Sequence, residues 1–267
     1  MCRLYALRAT HPTIPTCELL KAQNSLFKQA GGDERGWANP HGWGIVDRLA
    51  DGSMDYDREP KPADQSEEYR REATETPAIA TIAHIRRATV GEPKLENTHP
   101  FVGENAALAH NGHIGAFEEV GAHMRTEMKP KWRDAIQGST DSEHVFALLM
   151  SRLPERTPSA MVDTMVRTIR DIAQWTEERG TECTLNLMWL VDDHLIGSRF
   201  HRTLHYSLRD HAYRCPECGE SHGPDVPTYR AVVLASEPIT AEHWHEVPDE
   251  VVWSIDPEWQ LVTRSVR

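Results

Sequence analysis

The 267-residue chain has no apolar run approaching the roughly 20 residues that a membrane-crossing helix needs. Behind Arg3 and Arg8 there is no apolar stretch either, so no secretory leader is read there. Basic residues are in deficit, with 29 Lys and Arg against 41 Asp and Glu and a formal charge of −12. A general nucleic-acid binder needs a cationic surface to displace counterions, and this balance argues against one. The acidic excess is read as solubility. Five cysteines form an odd set, and only Cys215 and Cys218 lie close together. That pattern argues against a disulfide framework and fits reduced thiols in the cytoplasm. There is no P-loop, no dinucleotide fingerprint, no internal repeat and no low-complexity tract. What remains is an ordered globular chain, 39% hydrophobic and 26% charged, long enough to bury a sizeable core.

The patterning predicts strands, then helices, then strands. LYAL (4–7) reads as a buried strand behind Cys2. Thr16 is placed as the N-cap of one helix through residues 17–30, stopped by Gly31 and Gly32. Asp51-Gly52 marks a hairpin between GWGIV and SMDYD. A short charged helix over 65–73 is followed by strands at 78–86 and 105–112. Helical periodicity then covers 116–128, 141–153 and 159–180, the last with Met161, Met165, Ile169, Ile172 and Trp175 on one stripe, read as core packing. Strands return at 184–191, 194–200, 203–208, 229–236 and 250–255. This order suggests two sheets with helices outside rather than a doubly wound repeat. Residues 210–227, rich in Pro, Gly, Cys and His, read as a loop insertion between two strands.

Four stretches carry chemistry-bearing residues: Cys2, AHIRRATVGEPKLENTHPF (83–101), ALAHNGHIG (107–115) and GSTDSEHVF (138–146). Each has a plain structural reading. A cysteine behind Met1 is usually incidental, Asn111-Gly112 suits a tight turn ending a strand, and Asp141 suits a helix N-cap. Taken together, in this order and spacing, they resemble the class II glutamine amidotransferase domain of the N-terminal-nucleophile (Ntn) hydrolases. The resemblance covers most of residues 2–240. CRLYAL, HGWG (41–44) and SEP (236–238) are similar to its stand-alone branch, which includes YafJ-like proteins and hydrolases of ergothioneine biosynthesis.

The resemblance implies an α+β fold, a four-layer α-β-β-α sandwich of two mainly antiparallel sheets, formed by residues 2–267 as a single domain. It implies Cys2 as nucleophile, with the α-amino group exposed by removal of Met1 as base; such an amine has a reference pKa of about 7.7–8.0 and works near neutral pH. Asn111 and Gly112 match the oxyanion-hole pair. Arg86 matches the group that holds the substrate α-carboxylate, a job suited to a guanidinium fork, and Asp141 the group that holds its α-ammonium. Thr89 and His99 fall on substrate-pocket positions. Two residues depart from the pattern of many synthase-linked members: Arg87 stands where Trp is usual, and Val90 where His is usual.

The expected substrate is therefore glutamine, hydrolysed as an amide, with no cofactor needed for the chemistry. A larger γ-glutamyl amide or dipeptide fits the same Arg86 and Asp141. With no second catalytic domain in the sequence, released ammonia has either a separate synthase subunit or no acceptor. A reading from another class is an inactive scaffold or glutamine-sensing subunit. Separately, His211, Cys215, Cys218 and His222 give H-x3-C-x2-C-x3-H, a spacing that can hold a structural zinc, or else a loose hairpin or redox CxxC. Cys17 and Cys183 read as ordinary buried thiols.

Overall fold

Strand β1 (Arg3–Thr13) shows how the layers arise. Side chains alternate along a strand, so one strand can serve two cores. Tyr5, Leu7 and Ala9 enter one apolar cluster, while Leu4 and Ala6 enter another. The structure is a computed structural model that describes residues 2–32, 36–88, 91–216 and 218–267. In it β1 lies inside a seven-stranded sheet. Its other strands are β2 (Trp43–Arg48), β3 (Met54–Glu59), β4 (Ala78–Ile85), β9 (His205–Arg209), β12 (Ala231–Ala235) and β13 (His245–Glu246). The order is β13-β9-β12-β1-β4-β2-β3, and each pairing is antiparallel. A six-stranded sheet holds β5 (Phe101–Gly103), β6 (Ala106–Ile114), β7 (Cys183–Val191), β8 (His194–Arg199), β14 (Val251–Ile255) and β15 (Leu261–Ser265). Its order is β15-β14-β8-β7-β6-β5, again antiparallel. A small hairpin pairs β10 (Tyr213–Arg214) with β11 (Ser221–His222).

The apolar side chains sort into three clusters, one for each interface of a four-layer α-β-β-α sandwich. Between the sheets, Leu4, Ile82 and Leu234 meet Ala107, Ala109 and Met188. Outside the seven-stranded sheet lie a π-helical turn (Cys17–Lys21), α1 (Leu26–Gly31) and α2 (Glu67–Glu75). Outside the other sheet lie α3 (Phe117–Glu127), α4 (Pro130–Arg133), α5 (Asp141–Arg152) and α6 (Pro158–Glu177). The stripe on α6 is core, as its spacing indicates: Met161, Met165, Ile169 and Ile172 are buried and Trp175 packs at the margin.

Two local expectations change. The single helix over 17–30 is two pieces, because Ala22 is extended (ψ 156°) and Ser25 starts a new helix. Ser25 Oγ accepts from the Lys28 amide, whereas Thr16 makes no cap bond. The Asn111-Gly112 pair ends no strand; β6 continues to Ile114, with Asn111 opposite Asn186 and Gly112 opposite Leu185. Glycine is required there by packing, since a Cβ would run into the Thr184 carbonyl oxygen and the His110 ring. No helix among the described residues is long and apolar enough to cross a membrane.

Candidate active site

β1, β4 and β6 deliver the candidate residues to one end of the sandwich. Cys2 precedes β1 and is partly exposed. Its Sγ accepts from the Arg87 amide at 3.2 Å and lies 3.4 Å from the Arg87 carbonyl oxygen. Burial raises the Cys2 thiol above its ordinary pKa, opposed by the Arg87 amide and the charge of Arg86. The resting group is therefore a thiol, and nucleophilic attack needs a base to take its proton.

Arg86 follows β4 and is buried. Its amide donates to the Gly42 carbonyl at 2.7 Å and its carbonyl accepts from His41 at 3.0 Å, which fixes the HGWG turn against the strand end. The guanidinium donates to the carbonyls of Glu92 and Gly91, both at 3.2 Å. Burial lowers its pKa, offset by Cys2 and Asp141. His41 Nδ1 accepts from the Ala88 amide at 2.9 Å, extending the same scaffold.

Asp141 is buried in the first turn of α5. The helix cap is Thr140, whose hydroxyl accepts from the Glu143 amide. Asp141 instead ties the helix to β6: Oδ2 accepts from the Ile114 amide at 2.8 Å, and Oδ1 accepts from the Ser142 amide at 2.8 Å and hydroxyl at 3.1 Å. Its negative charge is felt at Cys2, Arg86 and His110. Cys2, Arg86 and Asp141 thus occupy one electrostatic neighbourhood of opposite fixed charges.

Ser236, just past β12 on the strand beside β1, joins the start of β1 to Asn111 of the other sheet. It donates and accepts across the start of β1, with Leu4 N to Ser236 Oγ at 2.9 Å and Ser236 N to Leu4 O at 3.0 Å. Asn111 Nδ2 donates to the same hydroxyl at 3.4 Å. Glu237 pairs with the buried Arg3 at 2.8 Å. The SEP stretch therefore clamps the nucleophile's strand, a role its sequence did not declare. His110 was also not singled out. Its Nδ1 meets Ser142 Oγ and its Nε2 meets the Thr184 carbonyl, both at 2.9 Å. The Thr184 carbonyl can only accept, which places a proton on Nε2; Nδ1 and Asp141 Oδ1 then share the one hydroxyl proton of Ser142. The available signal is the interruption of an apolar strand by His110, Asn111 and His113.

His99 is buried against His84 (ring centroids 4.2 Å apart) and Phe101 (4.8 Å). Among the described residues, neither ring nitrogen of His84 or His99 has a hydrogen-bond partner. Burial holds both rings neutral, His84 being lowered to about 3 and His99 well below its ordinary value. Thr89 lies outside the described residues.

The expected metal ligands do not all converge. Cys215, Cys218 and His222 come together, but His211 stays outside, exposed and bonded to neighbouring Asp210. The hairpin is the reason: Tyr213 pairs with His222, so Cys215, Cys218 and His222 belong to the hairpin while residue 211 stays before its first rung. The fourth place is taken by Cys17, so this thiol is not an isolated core cysteine.

The fold is that of an Ntn-type amidotransferase domain. The family model of class-II glutamine amidotransferases matches residues 1–262, and the chain belongs to that family, a family of enzymes. It is 26% identical to the probable glutamine amidotransferase DUG3 of Saccharomyces cerevisiae, over 98% of this chain and 84% of that protein. It is also 26% identical to the putative glutamine amidotransferase YafJ of Escherichia coli, over 98% and 97% of the two chains. Among solved structures, a glutamine aminotransferase class-II domain protein from Silicibacter pomeroyi superposes with a TM-score of 0.62, at 18% identity and 98% coverage of both chains.

Proposed function

We propose that the protein is a cysteine amidohydrolase that cleaves the γ-amide of glutamine through a γ-glutamyl thioester on Cys2. The observation that carries the reading is the placement of the Cys2 thiol where the charges of Arg86 and Asp141 both act on it. In this reading Arg86 takes the substrate α-carboxylate and Asp141 its α-ammonium, while Thr89 and His99 line the pocket. Removal of Met1 frees the Cys2 α-amine. That amine takes the thiol proton as Sγ attacks the amide carbon. The oxyanion is met by Asn111 Nδ2 and the Gly112 amide. Collapse breaks the C–N bond, the ammonium of Cys2 gives its proton to the departing nitrogen, and ammonia leaves. Water then attacks the thioester with the same amine as base, releasing glutamate and restoring the thiol. The scheme asks for no cofactor. Ammonia passes to water or to a separate synthase subunit, and the reduced nucleophile fits the cytoplasm.

The test is release of glutamate and ammonia from glutamine by purified protein, with Cys2→Ser alongside. Equal amounts of both products from the wild type and background from the variant support the reading. Undiminished release by Cys2→Ser overturns it. Hydrolysis of γ-glutamyl dipeptides with glutamine left intact would keep the thioester chemistry and move the substrate to a larger γ-glutamyl amide.

A further inference from the structure

Far along the seven-stranded sheet from Cys2, the insertion after β9 folds back on the π-helical turn that follows β1. Cys17 lies on that turn, 198 residues from Cys215, and the two Sγ atoms are 3.3 Å apart. Cys218 Sγ is 3.4 Å from His222 Nε2. All four donor atoms lie within 4.8 Å of one another. A tetrahedral zinc with Zn–S near 2.3 Å and Zn–N near 2.0–2.1 Å separates its donors by about 3.5–3.8 Å. Individual donor pairs therefore need to adjust by no more than about 1 Å to accept the ion.

The backbone around the cluster is built for such a turn. The Gly219 amide donates to the Cys215 carbonyl at 2.9 Å and the Cys215 amide to the Glu220 carbonyl at 3.0 Å. Gly219 has φ +74°, a conformation that glycine adopts freely. Lys21 on the facing turn pairs with Glu220 at 2.7 Å.

A second observation points to a ligand. Glu18 is fully buried; its Oε1 accepts from Arg209, but Oε2 has no hydrogen-bond partner among the described residues. That oxygen lies 4.0 Å from His222 Nδ1. A carboxylate facing the outer nitrogen of a histidine keeps the proton there and leaves Nε2 free to coordinate. Here Nε2 is the nitrogen that faces the sulfurs. By contrast, the acidic group Asp57, Glu68 and Glu72 already holds the guanidinium of Arg71 and has no such vacancy of partners.

We propose that Cys17, Cys215, Cys218 and His222 bind one structural zinc ion, which fastens the 210–227 insertion to the segment after β1. Three sulfurs and one imidazole are the soft donor set that zinc takes in closed sites, and four protein donors leave no position for water or substrate. On binding, three thiols release their protons to solvent and the neutral histidine gives its lone pair. The site then carries one net negative charge, beside the buried cation Arg209. The proposal does not depend on the glutaminase reading, because neither Cys2 nor the substrate takes part.

Elemental analysis of the full chain, expressed untagged in zinc-supplemented medium and purified without chelator, is the test. About one zinc per chain is expected. Cys215→Ser and Cys17→Ser should reduce it to near zero, and His211→Ala should leave it unchanged. If a serine variant fails to fold, cobalt exchanged into the wild type gives an independent readout: intense tetrahedral d–d bands with a thiolate charge-transfer band are expected. Wild type with no zinc and no such cobalt spectrum overturns the site. So does a Cys17–Cys215 disulfide, seen as a loss of two mass units reversed by reductant. Zinc retained in Cys17→Ser but lost in His211→Ala overturns the ligand set.

Discussion

Cys2 and Cys17 flank strand β1 and occupy opposite environments. Cys2 stands apart from other sulfurs, held by one amide and placed between a guanidinium and a carboxylate. Cys17 is fully buried with two more sulfurs and an imidazole within reach. A nucleophile needs one open face, a base and fixed charges that read the substrate. A metal ligand needs company of its own kind and exclusion of water. The same thiol serves either end according to what the fold sets beside it.

The sharpest way to break the contrast is to remove each sulfur in turn. Cys2→Ala is expected to lower turnover by on the order of 10⁴-fold or more with the melting temperature unchanged, measured by glutamate release and calorimetry. Cys183→Ala, which touches neither cluster, should leave turnover within a factor of two of wild type. A comparable loss in both variants would erase the distinction between an active thiol and a packed one.

Asn111→Ala comes next. Loss of one oxyanion donor is expected to reduce kcat by about 10²–10³-fold with little change in KM. A rise in KM alone would make Asn111 a ground-state contact. Asp141→Asn tests the charge clamp while retaining the side chain's shape. It should raise KM by roughly 10–100-fold, as expected for loss of a charged hydrogen bond worth about 1.5–3 kcal/mol. An unaltered KM with a lowered melting temperature would reduce Asp141 to its tie with the Ile114 amide.

The smallest effect is on stability against pH. His84, held at about 3 in the fold, has an unfolded reference of about 6.5. Between those values the unfolded chain binds the extra proton, so stability falls as pH falls below about 6.5. The slope contributed is at most about 1.4 kcal/mol per pH unit per histidine. His84→Leu should flatten the profile below pH 6.5 by that amount in denaturant titrations; an unchanged slope would mean that the ring is protonated in the fold.

The residues of the candidate site are conspicuous in the sequence because each breaks or closes a local pattern. Arg86 closes an apolar strand, Asn111-Gly112 interrupts another, and Asp141 opens a helix. Ser236 and His110 are harder to read, because a serine after a strand or a histidine within one acquires meaning only from hydrogen bonds to residues far away in the sequence. The fourth member of the Cys/His cluster is not legible in the sequence for a related reason. Local spacing proposed His211, four residues from Cys215, whereas the fold supplies Cys17 across the layer. Spacing can report a turn but not a contact made by the far end of the chain. The split helix over 17–30 belongs to the same lesson: the break that places Cys17 and Glu18 inward overrides a continuous helical pattern. Strands β5, β13 and β15 also escaped the pattern, being short or exposed edges with weak alternation.

The central claim rests on Cys2 as a processed nucleophile. An intact-mass spectrum before and after 6-diazo-5-oxo-norleucine, a glutamine-mimicking alkylator, tests it most directly. The account predicts loss of Met1 and one adduct, mapped to Cys2. Met1 retained with no adduct, or an adduct on any other cysteine, would contradict it.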